Sequence, residues 1–235
     1  MQNKLIKGHH YRKQGRNTAG IIVAGHRGGG NKRLYRYINF KRNEINLLSK
    51  VITIDKDPNR NAYICLINFY NGEKKYILYP DGIKIGDEII SGIKIPIDIG
   101  NALSLKNIYL GTLIHNLEML FGVGGKIARM AGSSAKIVSN NSNYYTLKLP
   151  SGKLKLIFNN CLSTIGKVGS NNIFKISYYK SLSKAGIKRW IGKRPLVRGS
   201  AMNAIDHPHG GGEGKTSIGL KSPKTPWGLL KKRKK

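Results

Sequence analysis

Acidic residues are scarce in this chain of 235 residues. It contains 11 Asp and Glu against 42 Lys and Arg, which gives a net charge of +31 at neutral pH. A chain with such an excess of one sign repels itself unless a partner supplies the opposite charge. This composition argues against a merely basic enzyme and favours a polyanionic partner, of which nucleic acid is the commonest.

Acids are missing altogether from two long stretches. Residues 1–43 and 119–205 contain none, yet they carry 11 and 15 Lys and Arg respectively. A protein that needed charge only for solubility would have no reason to separate the two signs in this way. The pattern indicates two segments that lie along phosphates.

Cysteine is also rare, and Cys65 and Cys161 are too few for a disulfide framework or a zinc site without histidine. Their apolar neighbours predict buried, reduced thiols. No apolar run approaches the ~18 residues of a membrane span, and the N-terminus lacks the apolar core of a signal peptide. We expect a soluble intracellular protein that binds no metal or other cofactor.

The middle of the chain predicts two small β domains. Residues 44–99 hold short apolar stretches that predict five strands, the last two in IKIGDEIISG (83–92), separated by turn signals such as Asn71-Gly72. A linker-like stretch (100–111) opens the second domain, residues 100–172, whose strands flank the turn at 150–152. Helical periodicity is weak everywhere. The sequence therefore predicts a mostly β protein with two small barrels.

Two basic, glycine-rich arms flank the barrels. Residues 1–43 and 173–235 show little periodicity, and we expect both to become ordered on binding a partner. Each arm has a histidine turn followed by three glycines, at 26–30 and 207–212. Glycines let a backbone approach another chain closely, and beside phosphates they expose N–H donors.

The stretch MNAIDHPHGGGEGKT (202–216) admits three chemical interpretations besides RNA binding. A phosphate-binding loop would need glycine where His209 stands, between a strand and a helix. Zinc could be held by His207 and His209 with an acid or Cys161, but this spacing is weak. A catalytic His207 beside Asp206 has no recognisable nucleophile. RNA binding has the best support; the alternatives are a free-standing RNA-binding or P-loop-like RNA-processing enzyme, and a general nucleic-acid packaging protein.

A series of motifs runs in order through nearly the whole chain. They are GRNTAG (15–20), HRGGG (26–30), YRYINFKR (35–42), DPNRNAYICLI (57–67), NGEKKYIL (71–78), GNALSLKNI (100–108), GTLIHNLE (111–118), GGKIARMAG (124–132), TLKLPSG (146–152), GKRPLVRGSAMN (192–203), DHPHGGGEG (206–214) and TPWG (225–228). Together they resemble the universal large-subunit ribosomal protein L2 family in its bacterial and plastid form. The resemblance is nearest to the plastid branch, and abundant Lys, Ile, Asn and Tyr fit an AT-rich organelle genome.

The resemblance implies an OB-fold barrel (44–99) and an SH3-like barrel (100–172) between extensions that enter ribosomal RNA. It implies a structural ribosomal protein, not an enzyme, that supports subunit assembly, subunit association and the peptidyl-transferase region. The implied partners are large-subunit ribosomal RNA, other large-subunit proteins and the small subunit across the interface, with no membrane. The implied location is the plastid stroma, or otherwise a bacterial-type cytoplasm.

Three arginines and one histidine match positions to which the family gives a role. The resemblance implies ribosomal-RNA binding by Arg42, Arg60 and Arg129, and a supporting role near the peptidyl-transferase centre for His207. The chain departs from the family at Asn31, Val123, Lys126 and Ala204, and both of its ends are short for the family, which puts only peripheral contacts in question.

The candidate RNA-binding residues combine cations with aromatic rings and glycines. Rings such as Tyr35, Tyr37, Trp190 and Trp227 stand among basic residues and can stack on bases, although packing inside the arm is an equal alternative for each. The full set is Arg16, Arg27, Arg33, Arg36, Lys41, Arg42, Arg60, Lys126, Arg129, Arg189, Trp190, Arg194, Arg198, His207, His209, Gly210, Gly211, Gly212, Lys215 and Trp227.

Overall fold

The computed structural model describes residues 5–9, 14–169, 184–214 and 217–230. These residues form three antiparallel sheets and only short helical turns. The mostly β fold class is confirmed. The described residues within 1–11 and 32–183 make one compact unit, and those within 12–31 and 184–235 make a second.

The strands are numbered in chain order. They are β1 Ile6–His9, β2 Leu34–Arg36, β3 Ser49–Lys56, β4 Tyr63–Phe69, β5 Lys74–Leu78, β6 Glu88–Ile89, β7 Ala102–Ser104, β8 Leu113–His115, β9 Ala135–Asn141, β10 Tyr144–Lys148, β11 Leu154–Phe158 and β12 Leu162–Ile165. The α-helix α1 spans Ala185–Trp190, and 3₁₀ turns span Leu105–Asn107 and Gly199–Ala201.

The first β domain is a four-stranded sheet in the order β5-β4-β3-β6. The central strand β4 is buried on both faces, which is why its sequence reads as a continuous apolar run. Cys65 and Ile67 face the core of the domain. On the opposite face, Ile64 and Leu66 pack under Ile38 and other partly buried residues. The first of the two strands predicted in 83–92 is absent; residues 85–86 lie in a turn, and only the short β6 follows them.

The second β domain is a six-stranded sheet in the order β11-β10-β9-β8-β12-β7. Alternating residues of β10 and β11, including Tyr145, Leu147 and Ile157, point into its core. The prediction of a linker at 100–111 is wrong in part, because β7 and a 3₁₀ turn lie there and β7 is fully buried. Short buried strands of small and apolar residues look like linkers when alternation is missing.

The second half of the N-terminal arm packs onto both β domains. Ile38 forms a parallel bridge with Tyr76 at the edge of the first domain. The carbonyl of Phe40 accepts hydrogen bonds from Gly125 N (3.0 Å) and Asn116 Nδ2 (3.2 Å) of the second. A Cβ on Gly125 would lie 2.1 Å from Asn116 Oδ1, so only glycine allows this approach. Residues 38–42 therefore join the two sheets.

A buried carboxylate, that of Glu118, holds the loop that contains Gly125. Glu118 is 1% exposed and accepts hydrogen bonds from Gly124 N (2.8 Å), Leu162 N (3.0 Å) and Gly122 N (3.3 Å). Charge-assisted bonds to main-chain amides are among the stronger hydrogen bonds in proteins. Glu118 thus fixes residues 119–125 against β12.

The second compact unit is built from both ends of the chain. A turn closes at residues 16–22, where Asn17 N donates to Ile21 O (2.9 Å). The helix α1 buries none of its residues. In the part of the chain that the structure describes, no helix is long and apolar enough to cross a membrane. Cys65 and Cys161, in the first unit, are buried and free, as predicted.

Buried His115 should make stability depend on pH. Burial, opposed by the Gly166 carbonyl that accepts from Nδ1 (2.9 Å), lowers its pKa from 6.5 to about 4. The unfolded chain then takes up the proton first as pH falls, so stability is lost between pH 6.5 and 4. Because glutamine takes up no proton, we expect His115→Gln to remove the part of this loss that His115 causes. That part is at most on the order of 3 kcal/mol of the free energy of unfolding. Urea unfolding of both proteins at neutral and acidic pH measures the difference; equal pH dependence would contradict the assignment.

Candidate nucleic-acid interface

The turn DPNR between β3 and β4 gathers cations around one buried carboxylate. Asp57 is 1% exposed. Its Oδ2 lies 2.5 Å from Arg60 Nε, and its Oδ1 lies 3.6 Å from Arg36 Nη1. Asn59 also donates to the carbonyl of Leu34 (2.6 Å), and Arg33 donates to that of Pro58 (3.0 Å). One acid therefore orders two guanidiniums and docks the turn on the arm strand β2.

The ring of Phe40 brings together two of the arginines that the sequence singled out. The guanidinium carbon of Arg60 lies 5.6 Å from the ring centroid, and that of Arg129 lies 4.6 Å from it. Cations within about 6 Å of a ring centroid are attracted to its face. We call Arg36, Asp57, Arg60, Phe40 and Arg129 the Phe40 cluster.

Arg129 is the most available cation of the Phe40 cluster. It is exposed, and its Nη1 donates to Gly125 O at 3.3 Å. Among the described residues, no ion pair involves Arg129. Its charge can therefore neutralise an external phosphate.

Arg42 lies inside the protein, unlike the other two family arginines. It is 4% exposed, and it donates from Nε to Ser91 Oγ (3.0 Å) and from Nη2 to Gly100 O (3.2 Å). Burial lowers its pKa to about 10, against the opposing charge of Glu44, so the group remains charged at neutral pH. Its described partners are protein atoms, and its predicted RNA contact stays a prediction.

Most of the other predicted cations are exposed to solvent. Arg33 and Arg36 are half-buried beside the DPNR turn, whereas Lys41 and Lys126 are exposed. In the second unit the exposed cations are Arg16, Arg27, Arg189, Arg194 and Arg198. Lys215 lies outside the described residues. Each unit thus presents its own basic surface.

The aromatic candidates divide between packing and exposure. Tyr35 and Tyr37 meet edge to face with centroids 5.6 Å apart, which favours local packing for this pair. Trp190 and Trp227 remain half or more exposed, at 51% and 64%. Lys184 Nζ lies 5.2 Å from the Trp190 ring centroid. The two tryptophans, and Tyr37 at 49% exposure, therefore keep ring surface open for stacking.

The first glycine run lies against the other end of the chain. Gly28 N donates to Gly192 O (3.0 Å), and Arg194 N donates to His26 O (3.1 Å). A Cβ on Gly30 would lie 2.9 Å from Gly192 N, so the close approach here is between two segments of this protein. The pairing brings Arg27 and Arg194 to one open cleft of about 420 Å³, lined also by His26, Gly28 and Gly29.

The second glycine run folds around His207. Its ring is 8% exposed and fills the space left by Gly199, where a Cβ would lie 2.5 Å from ring atoms. Nδ1 of His207 accepts from His209 N (3.0 Å). A Cβ on Gly210 would lie 2.1 Å from Asn203 O. These glycines make room for the protein's own atoms, while their predicted RNA contacts stay predictions.

His209 is tied to the end of the chain. Its Nε2 accepts from Lys224 N at 2.9 Å, and its ring centroid lies 4.7 Å from that of His207. Within the described residues, no group of three or more His, Cys, Asp and Glu could hold a metal ion. The arrangement is a hydrogen-bonded loop in which His207 orders the turn and His209 anchors residue 224.

Two family models cover nearly all of the chain. Residues 2–91 match the model described as Ribosomal Proteins L2, RNA binding N-terminal domain. Residues 98–228 match the model described as Ribosomal Proteins L2, C-terminal domain. The chain belongs to the ribosomal protein L2 family. The resemblance and the OB-fold and SH3-like architecture are thereby confirmed.

Curated relatives of the L2 family agree over most of their length. The large ribosomal subunit protein uL2cz/uL2cy of Lotus japonicus is 57% identical over 227 residues, which are 97% of this chain and 81% of the relative. Proteins of the same name from Drimys granadensis and Nicotiana tabacum are both 56% identical, over 97% of this chain and 82% and 81% of theirs. The similarity is to the plastid type of the L2 family.

Two residues of the candidate interface, Phe40 and Asp57, carry no sequence signal for the contacts that they make with arginines. Phe40 alternates with Ile38, a pattern typical of core packing, and both pack against the cluster of Ala62, Leu78 and Val168. Asp57 stands before Pro58 in a stretch whose composition is typical of a turn, yet it orders Arg36 and Arg60. An acid directly before Pro-Asn-Arg in a chain with so few acids sets Asp57 apart, but it does not identify these contacts.

Gly199→Ala should displace the ring of His207. The added methyl would lie 2.5 Å from Nδ1 and Cε1, and overpacking of this kind costs about 1–3 kcal/mol. We expect faster amide hydrogen exchange at residues 199–211 of the variant. Gly186→Ala is the matched control, since nothing lies within 4 Å of its Cβ position. Equal exchange in the two variants would refute the packing role of Gly199.

Proposed function

We propose that this chain is a structural constituent of the large ribosomal subunit that binds its ribosomal RNA through two basic surfaces. The proposal rests on the family to which the chain belongs and on one observation, the convergence of Arg60 and Arg129 on the ring of Phe40. The protein contributes charge and shape, and the catalysis of peptide transfer belongs to RNA.

The first surface is the Phe40 cluster. Phosphate contacts made by arginine fix the register of a protein on RNA and supply most of its salt-dependent affinity. Phe40 holds two guanidinium planes in place before RNA arrives, so less side-chain freedom is lost on binding. Asp57 restrains Arg60, which leaves Arg129 as the cation that gains most from an approaching phosphate.

The second surface is the unit made from the two chain ends. Arg27 and Arg194 come from distant parts of the sequence and line the same cleft, and two arginines on one cleft can bind a phosphate group. The RNA contacts of the exposed Trp190 and Trp227 would then be stacking contacts. The segments that carry these arginines and tryptophans are poor in acids, and Asp206 and Glu213 are the acids in them.

His207 belongs to this proposal as a positioning residue. Its buried ring orders residues 199–211, and we assign it support of the RNA near the peptidyl-transferase region. The plastid-type relatives support a place in the plastid ribosome. Association with the small subunit would follow from the same ribosomal role.

Arg129→Gln should weaken binding to a transcript of the large-subunit RNA. Loss of one phosphate contact is expected to raise Kd about tenfold and to reduce the salt slope of binding by roughly one. Arg129→Lys should retain most of the slope, because it keeps the charge. Lys94→Gln, an exposed lysine in the same unit, is the control for charge alone. Unchanged affinity at moderate salt would remove Arg129 from the interface.

Sedimentation of the native protein tests the ribosomal assignment itself. A tagged chain expressed in its own compartment should co-migrate with large subunits through a sucrose gradient and stay with them at moderate salt. Migration as a free protein, or with RNA unrelated to ribosomes, would overturn the proposal.

A further inference from the structure

The strand β11 lies at an open edge of the six-stranded sheet. In the described part of the chain it pairs on one side only, with β10. An edge strand presents a row of unpaired main-chain N–H and C=O groups that can accept another strand. No proline interrupts β11. Its backbone is therefore competent to add a strand.

The outward side chains of β11 are large and apolar. Leu154, Leu156 and Phe158 are 63%, 59% and 39% exposed, whereas Ile157 between them is 2% exposed and faces the core. On β10, Tyr144 lies opposite Phe158 and meets its ring at 5.9 Å. A solvated sheet face is normally polar, and a contiguous apolar strip marks an interaction site.

The border of this strip is positively charged. On the same outward face, Lys148 pairs with Leu154 in register, and Lys136 pairs with Lys148. Lys153 stands in the turn just before β11, and no acid occurs anywhere in residues 119–205. Charge complementarity therefore calls for an occupant with acidic side chains beside its apolar ones.

We propose that Leu154, Leu156, Phe158 and Tyr144, which we call the edge strip, dock an extended segment of another protein. The segment adds to β11 as a strand, places apolar side chains on the strip and directs Asp or Glu toward Lys136 and Lys148. The inference rests on the proposed function in one respect, that this other protein is a component of the same ribosomal particle.

The observations favour this occupant over two others. A second copy of the chain, paired strand to strand at β11, would bring lysine borders of the same sign together. RNA is read by stacking on aromatic rings and by guanidinium planes. The strip offers the rings of Tyr144 and Phe158, but RNA would leave its two leucines and the main-chain groups of β11 without partners. An acidic, apolar protein segment satisfies the main-chain groups, the leucines and the lysines at once.

A photo-crosslinker at position 156 tests the proposal. The Leu156→p-benzoylphenylalanine chain is incorporated into large subunits, which are purified and irradiated. The expected product is a crosslink to one protein of the particle, at a stretch that alternates apolar residues and includes Asp or Glu. Crosslinks only to RNA, to the same chain or to a second copy, or no crosslink, would overturn the inference.

Charge and apolar variants complete the test. Leu156→Asp and Lys148→Glu should each lower the amount of the crosslinked partner in purified subunits at least tenfold. Ile85→Asp and Lys94→Glu are matched controls at exposed positions of the other β domain, and they should leave the partner in place. A partner retained equally in all four particles would refute the docking surface.

Folding and ribosome binding are measured separately in these particles. Urea unfolding and RNA affinity of the free Leu156→Asp protein should match the parent, because the residue is already exposed. Should the parent chain itself fail to enter large subunits, the proposed function fails. Should it enter them while the edge strip contacts no acidic protein segment, this inference alone fails.

Discussion

The arrangement of the first unit depends on the hydrogen bonds that the main-chain carbonyl of Phe40 accepts. This carbonyl accepts a hydrogen bond from Gly125 N and another from Asn116 Nδ2, so one oxygen fastens the N-terminal segment to the second β domain. Ile38, two residues earlier, bridges to the first domain, and Arg42, two residues later, donates to Ser91 and Gly100. Because the backbone is fixed on both sides, the ring of Phe40 is held where the guanidinium groups of Arg60 and Arg129 both reach it.

Four of the rare acids stabilise contacts between segments of this highly cationic chain. Asp57 and Glu118 are both 1% exposed. Asp57 accepts from Arg60 and forms an ion pair with Arg36, and Glu118 accepts from main-chain amides of two segments. Glu44 holds Lys75 and Asn39; although burial alone would raise its pKa, the hydrogen bond from Lys75 and its other partners lower it. Asp81 pairs with Lys167 beside the bridge between Pro80 and Val168, which links the two domains. Because these acids are occupied in contacts between segments, they neutralise few exposed cations. The surface of the protein therefore keeps its positive potential.

The strands were predictable where alternation or a continuous apolar run is strong, as in β4, β10 and β11. Residues 83–86 and β7 were assigned wrongly, because short segments of Ile, Lys, Ala and Ser carry no clear period. The arginines of the interface were found from family motifs and charge. Their meeting at Phe40 was not predictable, since it depends on a contact between DPNR and residues 125–129 that no local pattern encodes. The residues that contact the glycines at 30, 199 and 210 were not predictable for the same reason. A glycine permits a close approach, but the local sequence does not identify the segment that approaches it.

The pairing of residues 26–30 with residues 190–194 has a consequence for biosynthesis. A ribosome makes residues 26–30 long before residues 190–194, and chains fold progressively as they emerge. The early segment therefore spends most of synthesis without the residues that its glycines fit. A basic segment in that condition is exposed to any nearby polyanion. The pairing forms only after residue 194 has been made.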